Sequence, residues 1–393
     1  MKVLAALSGG VDSTVAAAML LEAGHEVVGV TMKLWGGDSD TGCCSVSDVE
    51  DARRAAAQLG VDHHVFNFAD EFDRHVVDPY VADHLVGRTP NPCIECNRHL
   101  KFDLLLRRAD LLGFDLVATG HHARVVELAD GSRRLARGRD SGKDQSYVLY
   151  PLAGAALQRV LLPVGETTKD KVRELASSMG LRTASKPDSQ DVCFITRSDG
   201  RAAFLSERAT LHPGRVVDSA GEEVGRVDAV ELVTIGQRRG LDLAGGKGRR
   251  FVTDVDVARR TVTVGGATDL LVDSVDLVDL VWAGDPVEGP VEVQCSAHGG
   301  AASATVTPGA GPGPDGAVAE ISWHEPHRRI APGQSVVLYR IEELRDGDRE
   351  AVVVGGGMVG GGMVDSGAAA DSGGLLHHAE SAGTCVADQP PRA

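Results

Sequence analysis

The stretch KVLAALSGGVDSTVAAAMLLEAG, residues 2–24, decides the fold. Lys2–Leu7 is a short apolar run that reads as a strand. Ser13–Ala23 is rich in Ala and Leu and reads as a helix, closed by Gly24. Between them lies Ser8-Gly9-Gly10-Val11-Asp12-Ser13. Two glycines let a backbone approach an anion without interference from Cβ, and the N–H groups at a helix start point toward it. Ser8, Ser13 and Thr14 add hydroxyl donors, and Asp12 can hold a metal or orient a phosphate. The loop is neither the P-loop, which needs Gly-Lys-Ser/Thr after four spacers, nor the dinucleotide GxGxxG. An incidental double glycine is the alternative, and serines at both ends of a strand–helix turn weigh against it.

The same alternation continues outward. Glu26–Lys33 reads as a strand, and Asp48–Gly60 as a helix with Asp48 as N-cap and Gly60 as C-cap. Val65–Phe68 is a strand, Lys101–Leu112 a helix, and Asp115–Thr119 a strand running into Gly120-His121-His122. Strands separated by helices of this length imply parallel βαβ units in a doubly wound α/β sheet, with ligands beyond the carboxyl ends of the strands. After about residue 205 the pattern changes to short β runs: Gly214–Val217, Val230–Ile235, Phe251–Val257, Arg260–Val264, Val278–Trp282, Val291–Cys295, Val318–Ser322 and Ser335–Arg340. Turn residues space them as in small antiparallel sheets or barrels. Pro308–Gly316 reads as a loop. From Gly355 onward the chain is Gly/Ala/Ser-rich without periodicity, which predicts a disordered tail containing Met358 and Met363. The expected division is 1–205 for the α/β domain, 206–270 for a small central β-rich domain, 271–355 for a C-terminal β-barrel and 356–393 for the tail.

The chain has 393 residues, and at roughly 150 residues per domain two or three domains fit. Forty Lys and Arg stand against 56 Asp and Glu, a net charge of −16. That excludes a protein held to nucleic acid by its overall charge, but leaves room for local basic patches. Eight Phe, four Tyr and three Trp are too few for an aromatic platform as the main support of single-stranded nucleic acid. No apolar run of membrane-spanning length and no signal peptide is read, so the expected location is cytoplasmic, without membrane partners.

In that compartment the seven cysteines read as thiols, metal ligands or redox catalysts. Cys93 and Cys96 lie in TPNPCIECN, residues 89–97, read as a rigid extended loop leading to the Lys101–Leu112 helix. A thiol near a helix N-terminus carries more thiolate. Half a zinc site is the competing reading, but neither a second CxxC nor an HxxxH partner completes it, and no resident metal site is assigned. Cys193 follows the polar DSQD and enters an apolar run. A buried, inert thiol is its plain alternative. Cys43-Cys44 are badly spaced for chelation, and His63-His64 reads as surface.

The glycine loop resembles the pyrophosphate loop of the N-type ATP pyrophosphatases. Joined to TPNPCIECN, GHHAR (120–124), GKDQSY (142–147), DSQDVCFI (188–195), TIGQRRGL (234–241) and PGQSVVLY (332–339), it makes the chain similar to the tRNA-specific 2-thiouridylases of the MnmA type. The resemblance runs from residue 1 to about 355. It implies ATP-dependent 2-thiolation of the wobble uridine of tRNA, with ATP and Mg²⁺. Ala6, Leu7, Ser8, Gly9, Gly10, Val11, Asp12 and Ser13 would bind the phosphates, Met32 would lie beside the adenine, and Gly120 would offer a backbone contact. Cys193 would carry sulfur as a persulfide and Cys96 would be its partner nucleophile, the two ending as a disulfide. His121, Lys143, Asp144, Gln145 and Gln334 would contact tRNA. The implied partners are tRNA and a persulfide donor, a cysteine desulfurase or relay protein, with no role for DNA.

Two departures stand out. Many members carry Asp, the proposed general acid/base, where this chain has Cys93, so either another group moves the proton or Cys93 does so as a thiol. An Arg-Tyr pair expected near Cys295-Ser296 is missing. Cysteine at position 93 also raises an alternative in which Cys93, Cys96 and Cys193 hold a [4Fe–4S] cluster. Among the arginine pairs, a solvated face is the better reading for most. Lys143 and the Arg238/Arg239 loop stand apart because motifs enclose them.

Overall fold

A computed structural model describes residues 1–35, 46–186, 192–195, 200–243, 248–309 and 318–360. The first domain is built on strands β1 (Lys2–Ala6), β2 (Glu26–Lys33), β3 (His63–Asn67) and β4 (Leu116–Ala118). A hairpin of β5 (Ala123–Glu127) and β6 (Arg133–Arg137) follows, then β7 (Val160–Leu161). The parallel sheet runs β3-β2-β1-β4-β7. Val3, Leu4 and Ala5 of β1 are all buried, as a strand covered on both faces requires. Chain order reverses between β1 and β4, so their carboxyl ends open the crevice in which the glycine loop and the Gly120 loop meet.

Helix α1 (Val11–Glu22) leaves the glycine loop and is buried on two sides. Ala17 and Leu20 pack on the sheet, whereas Val15 and Ala16 pack against Val172 and Ala176 of a later helix. Helix α2 (Val46–Leu59) begins two residues before Asp48, placing that carboxylate in the first turn instead of at the cap. Two further helices, α3 over 69–85 and α4 over 92–111, each contain a π-wound stretch, Asp73–Val77 and Cys96–Leu104. The sequence pattern gives no sign of α3, and α4 begins well before the expected start at Lys101. The true start is the Asn91-Pro92 pair: Asn91 Oδ1 accepts from Cys93 N at 3.1 Å, and Pro92 occupies the first turn, where its missing N–H costs nothing. Cys93 and Cys96 are therefore helical, not part of an extended loop. Helices α5 (Lys169–Ser178) and α6 (Gly200–Ser206) complete the domain.

The central domain is one sheet of β8 (Gly214–Val217), β9 (Glu223–Val227), β10 (Asp242–Leu243), β11 (Phe251–Asp256) and β12 (Thr261–Gly265), in the order β10-β9-β8-β12-β11. Its buried core is made of valines. Val230–Ile235 is no strand: Val230–Leu232 forms a single 3₁₀ turn whose Val230 plugs that core.

The last domain consists of β13 (Leu271–Trp282), β14 (Gly289–Gln294), β15 (Ala302–Pro308), β16 (Ala319–Arg328), β17 (Ser335–Glu343) and β18 (Arg349–Val359). It closes as an antiparallel barrel through β13–β18. The glycine-rich run that suggested a tail from residue 356 is partly structure. Gly355 lies under Trp282, and a Cβ on Gly356 would stand 2.6 Å from the Tyr150 ring, so only glycine lets β18 pass. Met358 pairs with Ser335 in that strand. Residues 361–393, including Met363, lie outside the described residues, as do Cys43, Cys44 and most of the 308–316 loop.

The first and last domains share a core. Hairpin strand β6 pairs with β18 at Ala136 and Val352. Ile94, Phe102, Tyr147 and Tyr150 pack with Val337, Tyr339 and Val353 of the barrel.

Candidate nucleotide and thiol site

Gly9 adopts φ +71°, and a Cβ there would meet the Asp48 carbonyl at 2.4 Å, so the first glycine of the loop is fixed sterically. Ser8 N donates to Ser13 Oγ at 3.1 Å, and Thr14 Oγ1 donates to the Gly10 carbonyl at 2.9 Å. These bonds hold the turn as the helix begins. On its other side, Gly120 presses against α1, where a Cβ would stand 2.5 Å from Ser13 N. The two loops expected to share a ligand are thus in direct contact.

Two lysines that sequence reading did not single out flank the loop. Lys169 Nζ donates to both oxygens of Asp12, at 2.8 and 2.6 Å, and His122 Nε2 donates to Oδ1 at 3.0 Å. Burial works against the Asp12 charge, but His122 and Lys169 outweigh it and hold the carboxyl below its ordinary pKa. His122 Nδ1 is buried without a hydrogen-bond partner among the described residues. Across the loop, Lys186 Nζ donates to the Gly9 carbonyl at 3.0 Å, Asp48 Oδ1 at 2.8 Å and Asp51 Oδ2 at 2.7 Å. Burial disfavours its charge, yet the two carboxylates raise the ammonium's pKa. An ionised Asp12 among hydroxyls fits a hard cation that takes its remaining ligands from phosphate and water. Among the described residues no group of three or more His, Cys, Asp or Glu could cage a metal by itself.

The GKDQSY loop lies beside this crevice. Asp144 accepts from Gly138 N, Ser146 N, Ser146 Oγ and Arg137 Nη1, so its carboxylate organises the loop. Gln145 exchanges bonds with the His122 backbone at 2.9 and 2.8 Å. Lys143 is exposed. His121 pairs with Thr119 Oγ1 at 2.7 Å, and burial, helped by Lys101, drives its pKa well down.

Three sequence motifs meet at Thr89. Its N–H donates to the Pro332 carbonyl at 2.8 Å, its hydroxyl to Thr234 Oγ1 at 3.3 Å, and Gln334 Nε2 donates to its carbonyl. All three domains are therefore fastened at the root of the Cys93–Cys96 helix.

Cys96 is buried in an apolar cluster with Met32, Phe68, Phe72, Tyr80 and Leu100, and Cys193 packs against that same cluster. Phe194 anchors the Cys193 segment, with ring centroids 5.6 Å from Phe72 and 5.4 Å from Tyr80. Cys96 is buried, and Cys93 and Cys193 are partly exposed. Residues 187–191, which lead into Cys193, lie outside the described residues.

Family models match in the same order along the chain. The tRNA methyl transferase HUP domain covers residues 1–197, the tRNA methyl transferase PRC-barrel domain 202–266, and the aminomethyltransferase beta-barrel domain 272–359. A tRNA-specific 2-thiouridylase MnmA from Rhodococcus erythropolis is 48% identical over 359 residues, 88% of this chain and 95% of that protein. The MnmA of a Roseiflexus strain is 43% identical over 385 residues, covering 91% and 98%. The chain belongs to the tRNA-specific 2-thiouridylase family. Among solved structures, the U34-tRNA thiolase NcsA from Methanococcus maripaludis with its [4Fe–4S] cluster is similar at a TM-score of 0.33 and 20% identity, covering 53% of this chain and 63% of that one. At that level nothing of its cluster carries over.

For this 2-thiouridylase family member the cluster alternative does not fit. Cys93, Cys96 and Cys193 are all described, and they form no metal-holding group. Cys96 sits in the apolar cluster described above. Cys295, where the Arg-Tyr pair was expected, is partly buried against the barrel core, and burial pushes its thiol up to about 12. It is a packing residue.

Arg53, Arg54 and Arg107 pair with acids of their own helices, whereas Arg238 and Arg239 are exposed. No helix among the described residues is long and apolar enough to cross a membrane.

Proposed function

We infer that this chain is a tRNA-uridine 2-sulfurtransferase, which uses ATP to replace the C2 oxygen of the wobble uridine, U34, by sulfur. The observation that carries this reading is the pairing, in one member of the 2-thiouridylase family, of a built anion loop with two thiols on one apolar cluster.

The C2 oxygen is a poor leaving group. It attacks the α-phosphorus of ATP, the α–β phosphoanhydride breaks, and pyrophosphate departs into the loop Ala6–Ser13. Backbone N–H groups there, with Lys169 and Lys186 nearby, stabilise the departing charge. Mg²⁺, when bound at Asp12, neutralises charge on the phosphates. Met32 and Gly120 bound the nucleotide.

Cys193 carries the incoming sulfur as a persulfide supplied by a cysteine desulfurase or a relay protein. The terminal sulfur attacks C2, Cys96 attacks Cys193 Sγ, the S–S bond breaks, and AMP leaves with the oxygen. The two thiols supply the electron pair that reduces the transferred sulfur, and a Cys96–Cys193 disulfide remains for an external reductant. The target base must leave its stack to reach the thiols. Lys143 contacts the RNA directly. Asp144 and Gln145 hold the Lys143 loop, and His121 and Gln334 border the path as neutral hydrogen-bonding groups.

The test is the purified protein with ATP, unmodified tRNA and a persulfide donor, followed by mass spectrometry of the nucleosides. Expected is 2-thiouridine at the wobble position, with one AMP and one pyrophosphate per sulfur. ATP cleavage without 2-thiouridine would overturn the assignment.

A further inference from the structure

Lys169 is the first residue of α5 and is buried at 6% exposure, an unusual place for an ammonium. The helix does not need it there. Thr168 caps α5, and Asp140 Oδ2 accepts from the Lys169 backbone N–H at 2.9 Å. Asp12, through both of its oxygens, sets the position of the charge. Asp12 is also the carboxylate of the anion loop best suited to a divalent cation. A metal and an ammonium sharing one carboxylate would repel strongly in this half-buried setting. A buried ion pair that loses one partner is costly unless the other finds a replacement.

We propose that Lys169 is a phosphate-binding residue that exchanges partners. Without nucleotide it neutralises Asp12; with magnesium and ATP, Asp12 turns to the metal and the ammonium passes to a phosphate oxygen. No covalent bond changes, and every buried charge stays paired throughout. This rests on the reading that the glycine loop holds ATP.

The probes are Mn²⁺ alone, followed by electron paramagnetic resonance, and metal-free pyrophosphate, followed by calorimetry, on the full chain. Expected for Lys169→Met is tighter Mn²⁺ binding and weaker pyrophosphate binding, each by about tenfold, the scale of one hydrogen bond to a charged group. Lys169→Arg keeps the charge and restores both toward wild type. A purely structural lysine would weaken both or neither, and either result overturns the proposal. Should Lys169→Met not fold, Asp12→Asn gives the converse: metal-free pyrophosphate binds tighter than to wild type, and unchanged or weaker binding overturns the exchange. A wild type that binds neither ATP nor pyrophosphate would instead overturn the reading of the loop.

Discussion

The nucleotide loop and the thiol site sit on the same sheet but are built by opposite physics. Around the loop, position is set by hydrogen bonds and charge: Lys169 on Asp12, Lys186 on Gly9, Asp48 and Asp51, and hydroxyls on the Gly10 carbonyl. Around the thiols, position is set by rings: Trp35, Phe72, Tyr80 and Phe204 all stand within 6.2 Å of one another or of Phe194, next to Cys193. Polar bonds fix direction, which a departing pyrophosphate needs. Apolar packing fixes location and excludes water, which suits a persulfide that must not be hydrolysed or oxidised before the base arrives. The two regions should therefore fail independently.

The sharpest separation comes from the thiols. Cys193→Ser and Cys96→Ser should each lower 2-thiouridine formation by at least about a thousandfold, the scale of removing a covalent nucleophile. ATP affinity, measured by calorimetry, should stay within about twofold of wild type, because neither sulfur belongs to the hydrogen-bonded loop. A parallel loss of ATP binding would break the division.

Acid should act on the ring side through His84. His84 is buried at 2% exposure edge-on to Tyr80. Burial, with Arg201 adding to it, lowers its pKa to about 4. Unfolded His84 takes a proton near its ordinary pKa, while the folded form refuses it until about 4. The unfolded state thus binds more protons across that window, and stability falls as pH drops through it, by up to about 3 kcal/mol. Asp12 acts in the same direction but in a lower window: its pKa lies below the ordinary carboxylate value, so its contribution is intact above that value and is lost as pH falls below it. Urea melts at pH 7.5 and 5.0 should show a smaller acid loss in His84→Gln than in wild type.

On the polar side, Gly9→Ala places a Cβ against the Asp48 carbonyl in a left-handed backbone. A strain of about 1–3 kcal/mol should weaken ATP binding by about 10- to 100-fold. Alkylation of Cys193 by iodoacetamide should be unchanged. A slower alkylation would mean that the loop and the thiols are mechanically joined.

How much of this was legible follows the same line. Strand–glycine–helix order, the parallel sheet and the barrel could be read because local pattern and tertiary role agree in β1, α1 and β17. The glycine loop could be read because its chemistry is contiguous. Lys169 and Lys186 could not, since each reaches its partner across more than a hundred residues and nothing in TTKDKV or ASKPD marks a buried ammonium. Asn91-Pro92 carries a helix-start signal, but two prolines standing close together make the segment look like a rigid loop. The Gly355–Gly357 run misled because glycine required by a neighbouring Tyr150 and Trp282 looks, in sequence, like glycine required by nothing.

The smallest effect tests whether the two sites share a scaffold. Asn91 caps the helix that carries Cys93 and Cys96, and Thr168 caps the helix that carries Lys169. Each cap satisfies one orphan N–H, so Asn91→Ala and Thr168→Ala should each lower stability by about 1 kcal/mol in urea melts. Their functional effects should part. Asn91→Ala loosens the first turn around Cys93 and adjoins Thr89, the residue that ties both β-domains to this helix, so it should slow sulfur transfer at unchanged ATP affinity. Thr168→Ala should weaken pyrophosphate binding a few-fold and leave the thiols alone, because Lys169 keeps Asp12 as a partner but loses the helix start that aims it. Equal effects of both substitutions on both readouts would mean that one rigid body, not two independently built regions, sets the geometry.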